Sequence, residues 1–278
     1  MKALILAAGY GTRMEDLHTP KQLLEIKYKT PVIEEVTKNI AKANNIDEVY
    51  VITNNKFYPQ IKDWATNSEI LKIKKISLIN NQTNKNEERL GSIGDIWYAL
   101  EHIGIPKEGL MVAQGDDLVY GLYFSGLVEK FINYNSTTIV THRLKIEKLA
   151  KRFGVVETDE ENRVINIKEK PKLEEIKGEN GTALANGGYY LFTKEDLKNI
   201  ETYRQEIESK NKLGEKLILD KTGLLLSWMV EKNRNIYSYE HEGSLWWDVG
   251  TKESLEAARK FYSSLESKES KTVLENRL

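Results

Sequence analysis

The 278-residue chain contains no cysteine, which excludes structural disulfides, cysteine-ligated zinc, iron–sulfur clusters and thiol catalysis together. Histidine is scarce too. His18, His102, His142 and His241 are too far apart in sequence for the local spacing of a metal pair, so no histidine-based metal site is expected. Neither charge is in excess: Lys and Arg total 41 against 42 Asp and Glu, a formal net charge of −1. No global field therefore favours a nucleic-acid coat or a membrane-surface binder. Long apolar runs are also missing. The opening run Ala3–Ala8 is about six residues, too short for the h-region of a secretory signal. No segment reaches the ~18 uninterrupted apolar residues of a membrane span. The expectation is a cytoplasmic protein with neither nucleic-acid nor membrane partners. What is present, 40% hydrophobic and 30% charged residues, suits a folded chain with a substantial core.

Apolar runs alternate with amphipathic stretches from the first residue, the pattern of α/β layering. Ala3–Ala7 reads as a strand buried on both faces. Thr30-Pro31 reads as the cap of a helix that carries Val32, Ile33, Val36 and Ile40 at helical spacing. Glu48–Thr53 and Ile76–Ile79 predict strands, Ser92–Ile103 a helix, and Leu110–Ala113 a buried strand running into Gln114-Gly115-Asp116-Asp117. A helix over Ser125–Tyr134 and a strand over Thr137–His142 follow.

Beyond about Lys145 the strands crowd together. Gly154–Thr158 and Val164–Glu169 predict a hairpin around the polar turn Asp159–Arg163. Leu184–Phe192 is a strand, and Thr193 caps the helix after it. A helix over Gly223–Lys232, strands over Ile236–Glu240 and Trp246–Val249, and a closing helix from Thr251 to about Leu265 complete the reading. Residues 266–278 are polar and charged, a frayed tail. The fold expected is α/β and three-layered: a Rossmann-like, mixed, mostly parallel sheet flanked by helices, with added substrate-side strands. One domain over 1–265 would divide into a first half (about 1–145) and a second, substrate-side half (146–265). No repeat is visible, and no hexapeptide β-helix pattern at the C-terminus.

The most informative stretch is Leu6-Ala7-Ala8-Gly9-Tyr10-Gly11-Thr12-Arg13-Met14, followed by Thr19-Pro20-Lys21. A buried strand that breaks into small residues and glycine exposes backbone N–H groups to an anion. The dinucleotide fingerprint fails here, because Met14 stands where a third glycine is needed and Glu34 and Glu35 lie inside a helix. The P-loop fails for want of a Gly-Lys-Ser/Thr tripeptide. What remains is a phosphate loop with its own cations: Arg13, a planar fork for phosphate oxygens, and Lys21, a point charge.

Gly9-x-Gly11-Thr12-Arg13-Met14 with Pro20-Lys21 resembles the signature of the sugar-1-phosphate nucleotidylyltransferases, the nucleotide-sugar pyrophosphorylases. The spacer from Arg13 to Pro20 is nearer in length to N-acetylglucosamine-1-phosphate uridylyltransferases than to thymidylyltransferases. Further landmarks follow in family order: Gly115-Asp116-Asp117, Phe153-Gly154-Val155-Val156-Glu157, Glu169-Lys170-Pro171, Asn186-Gly187-Gly188-Tyr189-Tyr190 and Trp247-Asp248-Val249-Gly250-Thr251. The resemblance covers about residues 1–262 and implies the nucleotide-diphospho-sugar transferase (GT-A-like) fold.

The resemblance also implies roles. Ala8, Gly9, Gly11 and Thr12 would cradle the nucleotide, Arg13 would hold the departing pyrophosphate, and Lys21 the α-phosphate as charge builds. Asp116 and Asp248 would bind Mg2+, which takes one or two carboxylates plus phosphate oxygens. From the residues alone, Asp116 lies just past a buried strand, where open α/β sheets bind ligands. Asp248 is set among Trp246, Trp247 and Val249, an odd place for an unpaired charge. Asp117 either shares the ion or caps the loop. Lys170 would hold the sugar phosphate and Glu169 a sugar hydroxyl, with Gly154 and Asn186 lining the pocket. Pro171 favours an extended backbone at Lys170.

For the base, Gly91 would admit its edge, and Asn81 or Gln82 would hydrogen-bond a pyrimidine. Here the sequence departs from the family: Ser92-Ile93 replace Thr-Ala, and Asp95 stands where a small residue is usual. The Asn-rich run from Asn80 also resembles phosphocholine and polyol-phosphate cytidylyltransferases. Of Trp246 and Trp247, one is expected in the core and one on the pocket wall. Trp97 and Trp228 are expected in the core. Asp220 and Lys221 belong either to a substrate loop or to a helix start.

The expected partners are a nucleoside triphosphate, with uridine or thymidine as base, and a sugar 1-phosphate, glucose 1-phosphate first. Homo-oligomers are common in the family. The rival readings are a cytidylyltransferase for a non-sugar phosphate, a non-catalytic nucleotide-sugar sensor and a glycosyltransferase.

Overall fold

The computed structural model describes residues 1–12, 18–72, 74–210 and 219–275. Its elements run β1 (Lys2–Ala7), β2 (Glu25–Lys27), β3 (Thr30–Pro31), α1 (Val32–Ala41), β4 (Glu48–Thr53), α2 (Tyr58–Asn67) and β5 (Lys75–Asn80). Then come α3 (Gly91–Ile103), β6 (Leu110–Gln114), β7 (Asp117–Tyr120), α4 (Phe124–Tyr134), β8 (Thr137–Lys145) and α5 (Ile146–Leu149). The second half holds β9 (Gly154–Thr158), β10 (Val164–Glu169), β11 (Thr182–Phe192), α6 (Lys194–Lys210), α7 (Thr222–Glu231), β12 (Ile236–Glu240), β13 (Leu245–Asp248) and α8 (Lys252–Glu275).

The main sheet is ordered β10-β9-β11-β6-β1-β4-β5, with β8 pairing β11 and β12. From β6 to β5 every pairing is parallel. The antiparallel strand β11 then joins this half to the second, contacting β6, β8 and β9. The carboxyl ends of β1, β4, β5 and β6 therefore open on one edge, where ligands bind in open α/β sheets.

Strand alternation divides the core. Ala3, Ile5 and Ala7 face one layer with Val32, Ile33, Val36 and Ile40 of α1. Leu4 and Leu6 face the other with Ile93, Ile96 and Ala99 of α3. A period of two on β1 thus meets a period of near four on each helix, which buries both faces of the strand. Among the described residues no helix is long and apolar enough to cross a membrane.

Most predicted elements lie where the sequence placed them, and the differences have local causes. Thr30 is not a side-chain cap: its hydroxyl donates to Tyr28 O (3.2 Å), and Pro31 holds the N-cap position of α1. Thr193 does cap α6, accepting from Asp196 N–H (3.1 Å). The closing helix runs on past Leu265 to Glu275. Five elements escaped the pattern: β2, β3, α2, β7 and α5. β7 is only four residues long and pairs antiparallel with β13 in a small second sheet.

Candidate active site

β7 is what assembles the site. Its register sets Asp117 opposite Asp248, and Val249 N–H donates to Asp116 O (2.9 Å). Two carboxylates adjacent in sequence thus meet a third from the far end of the chain. Lys21 forms an ion pair with Asp116, and both side chains are largely buried. Asp117 is buried deeper, its main-chain oxygen accepting from Tyr189 O–H (2.6 Å) and its carboxyl from Trp246 Nε1–H (3.2 Å). Burial, with the charges of Asp248 and Asp116 next, pushes the Asp117 carboxyl well above its ordinary range.

These groups floor a cleft of about 300 Å³. Ala8, Gly9, Lys21, Gly91, Asp116, Asn186 and Asp248 all line it, so the two aspartates and Lys21 do converge beneath the glycine turn. The turn is held from behind: Asn54 Nδ2–H donates to Ala8 O (2.9 Å) and Thr53 O–H to Ala7 O (3.2 Å). Gly11 has φ +67°, in the left-handed region that favours glycine, and Thr12 beside it is exposed. Arg13 lies outside the described residues.

A second group adjoins the cleft on the substrate side. Built onto Gly154, a Cβ would meet Glu169 Oε2 at 3.2 Å and Asn186 Cβ at 3.4 Å; on Gly223 it would meet the same Glu169 oxygen at 2.5 Å. Glu169 thus reaches into a niche kept open by two glycines, and burial raises its carboxyl pKa despite Lys170 and Lys221 nearby. Among the described residues Asn186 Oδ1 is buried without a hydrogen-bond partner.

Lys170 corrects one expectation. Its φ is +50°, left-handed rather than extended, because its N–H donates to Phe153 O (3.2 Å) and Lys151 N–H to Pro171 O (2.8 Å). Its side chain is exposed at the end of β10, beside the Glu169 niche rather than on the cleft wall.

Of the base-side residues, Gly91 lines the cleft while Asn81 and Gln82 do not. Asn81 is turned inward: its oxygen accepts from Thr83 N–H (3.1 Å) and O–H (2.8 Å), and its amide donates to Asp95 Oδ1 (2.7 Å). Gln82 is exposed at φ +64°. Trp246 is the wall residue, stacked on His142 (5.1 Å between centroids), and Trp247 packs into the core against Phe261. Trp97 and Trp228 are half-buried against the α3-side core.

Several lining residues carried no signal in the sequence: Gln22, Arg89 and Gln114. Arg89 grips Asp220 across the cleft mouth through Nε and Nη2 (3.0 and 2.6 Å), which puts Asp220 at the cleft. Gln22 is buried with an unpartnered Oε1, and its stem lies under Gly115.

Asp95 is buried in the second turn of α3, and desolvation together with the charge of Asp220 raises its carboxyl to about 7. A carboxyl whose folded pKa exceeds its unfolded one stabilises fully only while protonated. Stability from this group is therefore complete at low pH and is lost as pH rises from the ordinary 3.8 to about 7. Asp95→Asn is expected to remove that slope, worth on the order of 4 kcal/mol. Denaturant melts of both proteins across that range check it, and parallel slopes would contradict it.

The family model for nucleotidyl transferases matches residues 2–264, nearly the whole chain. The chain belongs to the nucleotidyl transferase family. It is 29% identical over 256 residues to the bifunctional protein GlmU of Methanococcus vannielii, covering 90% of this chain and 52% of that protein. The transferase thus spans about half the length of this curated relative. Among solved structures it resembles a UDP-glucose pyrophosphorylase complexed with UDP-glucose (TM-score 0.74, 22% identity, 95% of this chain and 98% of the other). It also resembles the UTP-bound UGPase of Acinetobacter baumannii (TM-score 0.72, 18% identity, 99% and 98%). At such identities these likenesses establish the transferase's fold, as its sequence led one to expect.

Proposed function

We propose that this nucleotidyl transferase converts a nucleoside triphosphate, UTP or dTTP, and a sugar 1-phosphate, glucose 1-phosphate first, into an NDP-sugar and pyrophosphate. The observation that carries the reading is the convergence of Lys21, Asp116 and Asp248 in the cleft that Gly9 and Asn186 also line. A phosphate oxygen of the sugar phosphate attacks the α-phosphorus in line. A new P–O bond forms, the bond to the β-phosphate oxygen breaks, and pyrophosphate leaves with its electron pair. Such a transfer needs positioning and charge neutralisation rather than covalent help.

The donor set fits magnesium. Asp116 and Asp248 offer hard carboxylate oxygens, and Asp117 behind them is already driven towards its neutral form by burial and then by their charges. Among the described residues no cluster of three or more ligands is preassembled. That suits an ion that completes its shell with phosphate oxygens and water. When bound, Mg2+ supplies charge neutralisation on the triphosphate. The protein's own groups do the rest. Lys21, buried beside Asp116, meets charge building on the α-phosphate, and Arg13 the departing pyrophosphate. Asn186 and Glu169, with Gly154 between them, receive the sugar hydroxyls. Lys170 at the rim meets the incoming phosphate. UTP and UDP-glucose, the ligands named for the two structural relatives, support uridine and glucose.

A matrix of UTP, dTTP, CTP and ATP against glucose 1-phosphate, N-acetylglucosamine 1-phosphate, phosphocholine and a polyol phosphate, read by pyrophosphate release, tests the assignment. Turnover with UTP or dTTP and a sugar 1-phosphate is expected. Turnover only with CTP and a non-sugar phosphate would overturn the substrate choice and leave the reaction class.

A further inference from the structure

Asp95 has no part in the scheme above, yet it is a buried carboxyl on the wall of the cleft. A one-way chain of donors ends on it. Tyr10 O–H, from the glycine turn, donates to Thr83 Oγ1 (2.9 Å); Thr83 O–H donates to Asn81 Oδ1 (2.8 Å); and Asn81 Nδ2–H donates to Asp95 Oδ1 (2.7 Å). Every proton in the relay points the same way, which orients Asp95 as an acceptor and ties it to the loop expected to hold the nucleotide. Among the described residues no donor is recorded on its second oxygen. The nearest charges are already engaged with each other, Asp220 with Arg89. A buried carboxyl with half its acceptor capacity unspent, beside Gly91 where a base edge would arrive, is built to receive an N–H from a ligand.

We infer that Asp95 is the specificity-determining residue for the base, accepting the ring N–H between the two carbonyls of uracil or thymine and rejecting cytosine. Cytosine presents an unprotonated ring nitrogen at that position, so two acceptors would face each other with no proton between them. A site built around one polar contact discriminates strongly against the analogue that cannot make it. The assignment rests on the nucleotidyl-transfer reading of this cleft and makes the base, left open between related readings, depend on one side chain. It also gives the departure at position 95 a purpose, since a small residue there could not read the base edge.

The test is direct binding of UTP and CTP with Mg2+ by titration calorimetry, at a pH well above the carboxyl's pKa, for wild type and Asp95→Asn. Asparagine keeps an oxygen for the Asn81 amide, so the relay and fold are retained, while its own amide offers an N–H to the cleft. Wild type is expected to bind UTP at least about 100-fold more tightly than CTP. In Asp95→Asn that ratio is expected to fall at least tenfold or to reverse. A UTP preference that survives the substitution would overturn the inference and leave the transferase reading intact. A wild-type preference for CTP would overturn it in the same way. No binding of either nucleotide by the wild type would end both.

Discussion

Asp248→Asn and Asp116→Asn are each expected to lower turnover on the order of 10³-fold. Asp248→Asn is expected to melt no lower than the wild type. Asp116→Asn is expected to melt lower, because it takes the Asp116 charge away from the buried Lys21 ammonium. Three carboxylates meet where β13 pairs with β7, and Lys21 is the cation seen on Asp116. Like charges so placed repel, and after burial their repulsion is the next cause of the raised pKa of Asp117. Such an arrangement is retained for function at a cost in stability. Replacing either aspartate by its amide keeps the shape and removes a charge. The repulsion is relieved, and the oxygen that would bind the ion becomes a weaker ligand. Steady-state pyrophosphate release and a thermal melt of each variant check both halves. Near-wild-type rates would remove these residues from metal binding, and a lower melting temperature in Asp248→Asn would contradict the repulsion.

Gly188→Ala is expected to destabilise the protein by about 3 kcal/mol or more and to abolish turnover in whatever remains folded. Gly188 has φ +73°, and a Cβ there would sit 1.7 Å from Asp117 Oδ2. The clash cannot relax cheaply, because Asp117 is fixed by Trp246 Nε1–H on its carboxyl and Tyr189 O–H on its main-chain oxygen. The register shift between Asn186 and Tyr190 in β11 places Gly188 at this point. Gly187→Ala offers a comparison at the neighbouring position: its Cβ would press on the His142 ring at 2.6 Å rather than on an aspartate. It is expected to lose stability with a smaller loss of rate per folded molecule. Chemical denaturation and specific activity separate the two effects. Wild-type stability in Gly188→Ala would contradict the close packing at Asp117.

The parallel half of the sheet was legible because its strands are short apolar runs and its helices carry one apolar stripe, patterns that the spacing of apolar residues along the chain reveals. Glu48–Thr53, Gly154–Thr158, Val164–Glu169 and Ile236–Glu240 even match the structure residue for residue. β7 was not legible. Asp117-Leu118-Val119-Tyr120 is too short for alternation to register, and its strand character comes from β13, more than a hundred residues on. The same limit applies to the site. Asp116, Asp248 and Lys21 could be singled out by motif, since each sits in a distinctive local sequence. Arg89 and Asp220 could not be paired in advance, because nothing in either neighbourhood announces the other. The inward turn of Asn81 likewise follows from Asp95 and Thr83, partners that only the folded chain brings to it. At Lys170 a local rule gave way to tertiary structure, as the bond to Phe153 O outweighed the preference imposed by the following proline.

The measurement that bears most directly on the central claim is an anomalous difference map from crystals of the wild-type protein grown with UTP and Mn2+. The account expects one metal peak within coordination distance of a carboxylate oxygen of both Asp116 and Asp248, next to a nucleotide bound beneath the Gly9–Thr12 turn. A bound nucleotide whose metal lies away from either aspartate, or a nucleotide bound outside this cleft, would contradict it.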